Sequence, residues 1–272
     1  MMTAHDVRLV ATDLDGTLLR TDGTISARTR ATLARVQAAG VIVVPVTARL
    51  PRTVREIAAM TGISSLAICC NGALVYDLAA NVIVHHLPLV TDIAARLVYA
   101  LREAAPGVQF AVETGATFGQ EPDYLSLHPA VPPDLPRVAD ALVLIVDGVT
   151  KLIARHPTLP LSALLHLTRS IACETATVTH SGAEFVEVSA AGVTKASTLA
   201  MLCAGRGIKA AEVIAFGDMP NDLPMLVWAG RGYAVANAHA DILAVADAVV
   251  PANDADGVAV ALDALFPSCR SL

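Results

Sequence analysis

Residues 8–17 read RLVATDLDGT, an apolar run that passes directly into two acidic residues, a glycine and a threonine. The apolar part predicts a short buried strand, because strands covered on both faces are continuous apolar runs. Asp13 and Asp15 are two positions apart, so they point roughly the same way as the strand ends. Their charges repel unless a cation lies between them or one is protonated, and Gly16 allows a sharp turn. The stretch predicts a polar site at a strand end, with an ordinary polar turn as the alternative.

Two further apolar runs predict buried strands at Val41–Val46 and Leu66–Cys70. Helical spacing fills the two intervals, over Ser26–Ala38 and from Pro51 to about residue 60. A serine at the start of the first helix suits an N-cap. Strand, helix, strand, helix, strand at short spacing, with continuous apolar strands, predicts an α/β fold with a parallel sheet covered on both faces.

Polar residues follow each of these strands, namely Asp13, Thr47 and Asn71. In open parallel sheets, ligands bind beyond the carboxyl ends of the strands. The hydroxyl of Thr47 and the exposed backbone N–H groups after it, up to Arg49, could hold phosphoryl oxygens. A solvated turn is the alternative interpretation of Thr47-Ala48-Arg49.

The alternation of strand and helix ends after Gly72, where a hairpin and then mixed strands and helices are predicted. Strands and helices grouped in this way favour a separate α+β domain, which we expect at residues 83–187, with a core at 1–82 and 188–272. A loop rich in proline is expected within it, carrying Pro122, Pro129, Pro132, Pro133 and Pro136. The predicted elements are strands Ala73–Tyr76, Val82–His86, Val108–Val112, Ala141–Val146, Thr175–His180 and Glu184–Val188 and helices Thr91–Ala104 and Leu159–Ala172.

Helices and apolar strands alternate again from Thr194 onward, which predicts a core split around an inserted domain. The predicted elements there are a helix from Thr194 to about Gly205, strands Glu212–Phe216, Gly232–Val235 and Ala248–Val250, a short helix from Asn221 and a last helix Gly257–Leu265.

A second acidic group, residues 217–222 (GDMPND), again follows a predicted strand. Asp222 lies four positions beyond Asp218, close enough for the two to meet across one turn. Such hard oxygen ligands suit magnesium, whereas the alternative is a helix N-cap formed by Asp218 or Asn221. Lys195, near a helix start, offers the cation that clustered aspartates need, although most helix lysines are simply surface charge.

Composition excludes several classes of partner. The chain has 272 residues, 54% apolar and 16% charged, with a net charge of −6. No run of clustered Lys and Arg with interleaved aromatics occurs, so nucleic acid and anionic membrane are not expected partners. Mean hydropathy is +0.58, but polar residues interrupt the longest uncharged stretch, so no membrane span is predicted. The first residues show no signal-peptide pattern, and we expect a cytoplasmic protein.

The cysteines number five and form no CxxC pair, which predicts reduced thiols rather than a disulfide framework or a zinc site. They are Cys69, Cys70, Cys173, Cys203 and Cys269.

Taken in order, these motifs resemble those of the haloacid dehalogenase superfamily of phosphatases, and specifically its Cof-type, sugar-phosphatase-like branch. Residues 13–17 (DLDGT) are similar to the first motif, DxDGT, and Thr47 to the second. Lys195 is similar to the third motif, and residues 217–222 to the fourth, GDxxND. The resemblance covers nearly the whole chain, including Asn71-Gly72-Ala73.

Departures from the family pattern are small. The second motif reads Thr47-Ala48-Arg49 where Thr-Gly-Arg is common, which adds a methyl group near the expected phosphate loop. Residues 235–237 (VAN) replace a stretch that often carries methionine. Neither change removes a reacting group.

The resemblance implies a Rossmann-like parallel-sheet core with an inserted α+β cap. It implies a Mg²⁺-dependent phosphatase that acts on small phosphate monoesters, such as sugar phosphates, through an aspartyl-phosphate on Asp13. Asp15 would give a proton to the leaving oxygen and take one from water, while Lys195 and Thr47 hold the nucleophile and the transferring oxygens. The implied metal-binding residues are Asp13, Asp15 through its backbone carbonyl, Asp218 and, through water or indirect contacts, Asp222.

The expected substrate-binding residues, chosen for the mouth of the site, are Arg49, Asn71, Gly72, Glu187, Asn221 and Asn237. Surface or capping roles are the alternative for each. The expected partner is a small phosphorylated metabolite, and the expected state a monomer or small homo-oligomer.

Other functions remain open at this point. A phosphomannomutase-like phosphotransferase would carry the same motifs and pass the phosphoryl group to a sugar. A non-catalytic sensor of phosphorylated ligands is less favoured, because such proteins usually lose a reacting group. A dehalogenase is disfavoured because Asp15 suits phosphoryl chemistry.

Overall fold

The computed structural model describes residues 3–115, 117–124, 137–146 and 148–267. The chain divides into two compact units, Met1–Val82 with Lys195–Leu272, and Ile83–Thr194. The strands, in chain order, are β1 (Leu9–Thr12), β2 (Ile42–Pro45), β3 (Leu66–Cys69), β4 (Leu74–Asp77), β5 (Val82–His86), β6 (Gln109–Thr114), β7 (Thr117–Gln120), β8 (Val149–Arg155), β9 (Ala176–Thr179), β10 (Val186–Ala190), β11 (Val213–Gly217), β12 (Arg231–Val235) and β13 (Ala248–Val250). The α-helices are α1 (Ala27–Ala38), α2 (Pro51–Thr61), α3 (Thr91–Ala104), α4 (Leu161–Ala172), α5 (Lys195–Ala204), α6 (Leu223–Trp228), α7 (Ala240–Leu243) and α8 (Gly257–Leu265).

The first unit is built on a parallel sheet in the order β13-β12-β11-β1-β2. All four residues of β1 and all five of β11 are buried, as expected for strands of a sheet that is covered on both faces. This confirms the predicted α/β, Rossmann-like core. In the register of the sheet, Thr12 lies opposite both Phe216 and Pro45. The residues that follow β1, β2 and β11 therefore emerge at the same edge.

The third predicted strand behaves differently from the first two. Among the described residues it meets the parallel sheet through a single parallel bridge, between Val46 and Ile68. Its ladder is antiparallel and runs against β4, with Ile68 opposite Val75. The apolar run identified the strand correctly, but it could not identify the partner strand.

Helix ends follow the expected chemistry. Ser26 caps α1, and its hydroxyl accepts a hydrogen bond from the Thr29 N–H at 2.9 Å. Pro51 opens α2, where its missing N–H costs nothing. Gly62, in the left-handed conformation with φ of 72°, ends that helix.

The second unit contains an antiparallel sheet in the order β7-β6-β8-β10-β9. One face of the sheet carries Phe110, Leu152 and Val188, which form a buried core with Leu97 and Leu101 of α3. Helix α4 joins the same core. The predicted α+β character of this region agrees with the structure.

Some predictions within the second unit were wrong. Residues 141–146 are not a strand: Ala141–Leu144 form a 3₁₀-helix, which the Asp140 carboxylate caps by accepting from the Leu142 N–H at 2.9 Å. Strands β7 and β8 were missed. Strand β8 reads VTKLIAR, and the buried Lys151 interrupts its apolar run.

The second unit ends at Thr194 rather than at the predicted residue 187. A boundary after 187 would cut strand β10, which pairs with both β8 and β9. The loop residues Pro129, Pro132, Pro133 and Pro136 lie outside the described residues.

The described cysteines, Cys69, Cys70, Cys173 and Cys203, are free thiols, and Cys269 lies outside the described residues. In the part of the chain that the structure describes, no helix is both long and apolar enough to cross a bilayer.

Candidate active site

The candidate site lies where β1 and β11 end side by side in the first unit. The Asp13 N–H donates to the Phe216 carbonyl at 3.0 Å, so the turn after β1 starts beside the loop after β11. Residues that are 205 positions apart, Asp13 and Asp218, are thereby brought to one edge of the sheet. The two acidic motifs therefore lie side by side in the structure and form one site at the strand ends.

Three carboxylates form the centre of the site. One oxygen from each of Asp13, Asp218 and Asp222 lies within 4.8 Å of the others, and all three residues are buried. The buried Lys195 Nζ donates to Asp13 Oδ1 at 2.5 Å and to Asp222 Oδ1 at 2.7 Å. This lysine is therefore a member of the site and not a surface charge.

The charges of this cluster do not balance within the protein. Three carboxylates against one ammonium leave two negative charges when all four groups are ionised. Burial raises the pKa of Asp13 well above its usual range, although Lys195 opposes the shift. Burial, with the nearby charge of Asp222, raises the pKa of Asp218 to about 7. Burial lowers the pKa of Lys195, but the charges of Asp13 and Asp222 outweigh that effect and hold it above its usual value.

These properties fit a divalent cation. Such an ion would balance the two excess charges and favour the ionised form of each carboxylate. The donors are all oxygens, which Mg²⁺ prefers to nitrogen or sulfur. The residues that would hold it are Asp13 and Asp218, with the backbone carbonyl of Asp15 as the predicted third donor.

Asp222 takes a supporting position in this arrangement. Its Oδ1 accepts from Lys195, and its Oδ2 accepts from the N–H groups of Asp218 at 3.2 Å and Met219 at 3.1 Å. The carboxylate that binds the backbone of this turn is thus Asp222, and not Asp218 or Asn221 as the capping alternative had it. A Cβ on Gly217 would lie 2.5 Å from the Asp222 Cβ, which explains the glycine before Asp218.

Asp15 is separated from the buried cluster. Its side chain is about half exposed and forms a two-pronged ion pair with Arg49, with Nε donating to Oδ2 at 2.7 Å and a terminal nitrogen donating to Oδ1 at 2.5 Å. The sequence predicted that Asp13 and Asp15 point roughly the same way, with their repulsion relieved by a cation between them or by protonation of one. The turn between them instead divides a buried carboxylate from an accessible one.

That turn depends on Gly16 and Thr17. Gly16 has φ of 74°, and a Cβ at this position would lie 2.3 Å from Asp218 Oδ2. The Thr17 hydroxyl donates to Asp218 Oδ1 at 2.9 Å. Reasoning from the sequence treated Thr17 only as part of a motif, yet it directly orients a candidate metal ligand.

Thr47 is buried in the turn after β2, and its hydroxyl accepts from the Arg49 N–H at 3.1 Å. Asn237 lies beside the acidic turn, where its amide donates to the Gly16 carbonyl at 2.7 Å and its oxygen accepts from the Asn253 N–H at 2.9 Å. It was expected at the mouth of the site, but in the structure it braces the turn after β1. Asn253 was not singled out from the sequence, and no local signal marks it.

Glu187 belongs to the second unit, on β10. It is buried there, and the Lys151 Nζ donates to its Oε1 at 2.7 Å. Lys151 also lies 3.4 Å from Glu113 Oε1. Glu187 was expected to be a polar residue at the mouth of a binding site. In the structure it instead belongs to a buried ion pair in the middle of a sheet.

Comparisons with known proteins identify relatives of the chain. A family model described as haloacid dehalogenase-like hydrolase matches residues 10–262. The 5-amino-6-(5-phospho-D-ribitylamino)uracil phosphatase YcsE of Bacillus subtilis (strain 168) is 29% identical over 258 residues, which cover 94% of this chain and 95% of the relative. The pyridoxal phosphate phosphatase YbhA of Escherichia coli (strain K12) is 28% identical over 263 residues, covering 93% and 96%.

Solved structures show the same fold. A haloacid dehalogenase-like hydrolase from B. subtilis aligns with a TM-score of 0.82 and 26% identity, over 95% of this chain and 100% of that one. A second such hydrolase, from Bacteroides thetaiotaomicron, aligns with a TM-score of 0.77 and 27% identity, over 96% and 100%.

Proposed function

The chain belongs to the haloacid dehalogenase-like hydrolase family, and from this premise we propose that it hydrolyses small phosphate monoesters with Mg²⁺ through an aspartyl-phosphate on Asp13. Its relatives are named phosphatases, which makes it a phosphoric monoester hydrolase. The observation that carries the mechanism is the buried Asp13 carboxylate, held by Lys195 beside Asp218 and Asp222.

Asp13 is the proposed nucleophile. One of its carboxylate oxygens forms a bond to phosphorus while the bond from phosphorus to the ester oxygen breaks. Lys195 fixes the other carboxylate oxygen, so the attacking oxygen keeps its direction during the step. When bound, Mg²⁺ supplies positive charge that neutralises the transferring phosphoryl oxygens.

Asp15 is the proposed acid and base. It gives its proton to the leaving oxygen, then takes a proton from the water that attacks the aspartyl-phosphate, which releases inorganic phosphate and restores Asp13. Its exposure places it where a leaving group and water can reach it, and the ion pair with Arg49 orients the ionised form that takes the proton from water. Thr47 and the N–H groups of its turn hold phosphoryl oxygens in this scheme.

The second unit, Ile83–Thr194, is the proposed cap that recognises the leaving group and excludes water. We propose small phosphorylated metabolites as substrates, in line with relatives that are named for phosphorylated uracil and pyridoxal compounds. We further propose a cytoplasmic enzyme that is a monomer or a small homo-oligomer.

The test is phosphate release from a panel of small phosphate esters, measured with Mg²⁺ and with a chelator. We expect release that requires Mg²⁺, and its complete loss in Asp13→Asn without loss of the fold, because the amide is no longer a nucleophile. Circular dichroism checks that the variant is folded. Activity retained by Asp13→Asn would contradict the mechanism, and release from none of the esters would contradict the proposed hydrolase and favour a transferase that needs an acceptor.

A further inference from the structure

Three consecutive residues after β3 adopt positive φ, with values of 53° at Cys70, 56° at Asn71 and 106° at Gly72. Glycine adopts this conformation freely and asparagine does so more readily than other residues, but a run of three is unusual. The run turns the chain sharply at the edge of the sheet where the carboxylates lie.

Hydrogen bonds hold this loop to two parts of the candidate site. The Asn71 N–H donates to the Thr47 carbonyl at 3.0 Å, which ties the loop to the turn after β2. The Thr198 hydroxyl, one turn beyond Lys195 on α5, donates to the Gly72 carbonyl at 2.7 Å. The backbone of residue 71 is therefore fixed relative to both Thr47 and the helix that carries Lys195.

The side chain of Asn71 is fixed by a third part of the site. Asn221, whose chain neighbour Asp222 binds Lys195, donates from Nδ2 to Asn71 Oδ1 at 3.0 Å. The two residues are only 3% and 7% exposed. Nevertheless, Asn71 Nδ2 and Asn221 Oδ1 have no hydrogen-bond partner among the described residues. Buried polar groups are rarely left unsatisfied, because each costs its desolvation energy.

We propose that the Asn71 amide donates a hydrogen bond to a non-bridging oxygen of the phosphoryl group during its transfer to Asp13, and that Asn221 is the positioning residue that orients this amide. The inference rests on the proposed function. From the sequence, Asn71 was expected at the mouth of the site, where it would contact the leaving group. The inference assigns it instead to the phosphoryl group that is transferred. A neutral donor suits this place because Lys195 is already engaged by Asp13 and Asp222.

The positive φ of Asn71 decides which substitutions can test its side chain without disturbing the turn. Asn71→Gly removes the amide and tolerates positive φ, so the turn is preserved. Asn71→Asp keeps the shape and the acceptor oxygen for Asn221, and loses only the donor group while adding a negative charge. Asn81→Gly is the matched control, because Asn81 also has positive φ (61°) but lies in the exposed turn between β4 and β5.

We expect kcat/KM to fall about 100-fold in Asn71→Gly, the size of effect seen when one preorganised donor to a developing oxyanion is lost. The factor should be the same for para-nitrophenyl phosphate and for a sugar phosphate, because the transferred group is common to both. Asn81→Gly should leave kcat/KM unchanged. A loss confined to one ester would assign Asn71 to the leaving group and overturn the inference.

Binding of inorganic phosphate in the presence of Mg²⁺, measured by calorimetry, gives a readout without turnover. We expect weaker binding by about tenfold or more in both Asn71→Gly and Asn71→Asp, with melting temperatures that show a folded protein. Unchanged phosphate affinity in both variants would overturn the inference. If wild type binds phosphate but hydrolyses no ester, it is the proposed function that fails.

The positioning role of Asn221 is tested by a double-mutant cycle. Asn221→Ala should lower kcat/KM and phosphate affinity in the wild-type background, yet have little further effect in Asn71→Gly, because it acts through the amide that is already absent. Additive losses would show that Asn221 acts independently and would overturn that part of the inference.

Discussion

The two units each bury a lysine between carboxylates, and they do so in different ways. In the first unit, Lys195 binds Asp13 and Asp222, which stand in turns beyond the ends of strands. In the second unit, Lys151 stands within β8 and binds Glu113 and Glu187, which stand on the neighbouring strands β6 and β10.

The positions of the two lysine groups show which parts of a sheet are open to a ligand. Strand residues are held by their ladders on both sides, so the Lys151 group is well suited to set strand register. Turn residues at strand ends can approach a ligand, and in the first unit a further carboxylate, Asp218, leaves the cluster short of positive charge. A buried lysine between carboxylates does not by itself mark a catalytic site, because both units contain one. The two groups differ in position, since only the Lys195 group lies at strand ends, where a ligand can approach.

The largest expected effect comes from exchanging each lysine for methionine, which fills similar space without the charge. Lys195→Met and Lys151→Met should each destabilise the fold by about 3–5 kcal/mol, because each leaves buried carboxylates without their partner. Only Lys195→Met should also lower phosphatase activity towards para-nitrophenyl phosphate, by about 1000-fold, since Asp13 loses its orientation. Urea unfolding and initial rates measure the two effects.

The matched control is Lys209→Met, at an exposed lysine, which should change neither quantity. Equal losses of activity in Lys195→Met and Lys151→Met would break the distinction between a catalytic and a structural cluster.

A smaller effect is expected from Gly16→Ala. The added methyl group would meet Asp218 Oδ2 at 2.3 Å, so the carboxylate must move and Mg²⁺ affinity should fall about tenfold or more. Gly23→Ala is the control, because Gly23 has a similar φ of 79° but open space around its position. Both variants should lose about 1 kcal/mol to backbone strain. Equal Mg²⁺ affinity in the two would contradict the role assigned to this turn.

The smallest expected effect is the dependence of stability on pH without metal. An unfolded carboxyl group ionises near pH 4, whereas Asp218 in the folded chain has its pKa raised to about 7. Between these values folded Asp218 holds a proton that the unfolded chain has lost, so its contribution to the free energy of unfolding falls as pH rises from about 4 to about 7. Buried Asp13, whose pKa is also raised, acts in the same direction. Added Mg²⁺ favours the ionised form and should stabilise most above pH 7.

Thermal melts over this pH range, with chelator and with Mg²⁺, measure the dependence. Asp218→Asn should flatten the slope, whereas Asp241→Asn, at an exposed carboxyl group, should not. A melting temperature that rises from pH 4 to pH 7 in the chelated protein would contradict the arrangement of charges described for the site.

Much of the first unit could be predicted because its signals are local. Apolar runs marked β1 and β11, and capping residues such as Ser26 marked the helices. The errors occurred where neighbours decide the outcome. Residues 141–146 are apolar enough for a strand, but the Asp140 cap begins a 3₁₀-helix over Ala141–Leu144. Strand β8 was missed because a lysine inside an apolar run argues against a buried strand. Lys151 is buried there because it pairs with carboxylates on two other strands.

The candidate site shows the same division. Asp13, Asp218 and Asp222 were predicted because acidic motifs follow strands whose ends must share an edge, and Lys195 because clustered aspartates need a cation. The separation of Asp15 from Asp13, the bracing role of Asn237 and the ion pair of Glu187 were not predicted. Each of these depends on a partner that is distant along the chain, namely Arg49, Gly16 with Asn253, and Lys151.

The sequence by itself determined most strands and helices of the first unit, its parallel core and the residue types of the site, because hydrophobic periodicity and short motifs are properties of neighbouring residues. Only the tertiary structure decided which carboxylates share a buried space and which asparagine amide has no hydrogen-bond partner among the residues that the structure describes. The register of β1 against β11 brings Asp13 to the turn of Asp218, whereas the extended backbone of Asp15 places its side chain in an exposed ion pair with Arg49. Distances between side chains so far apart in sequence are set by packing, and no local pattern encodes them.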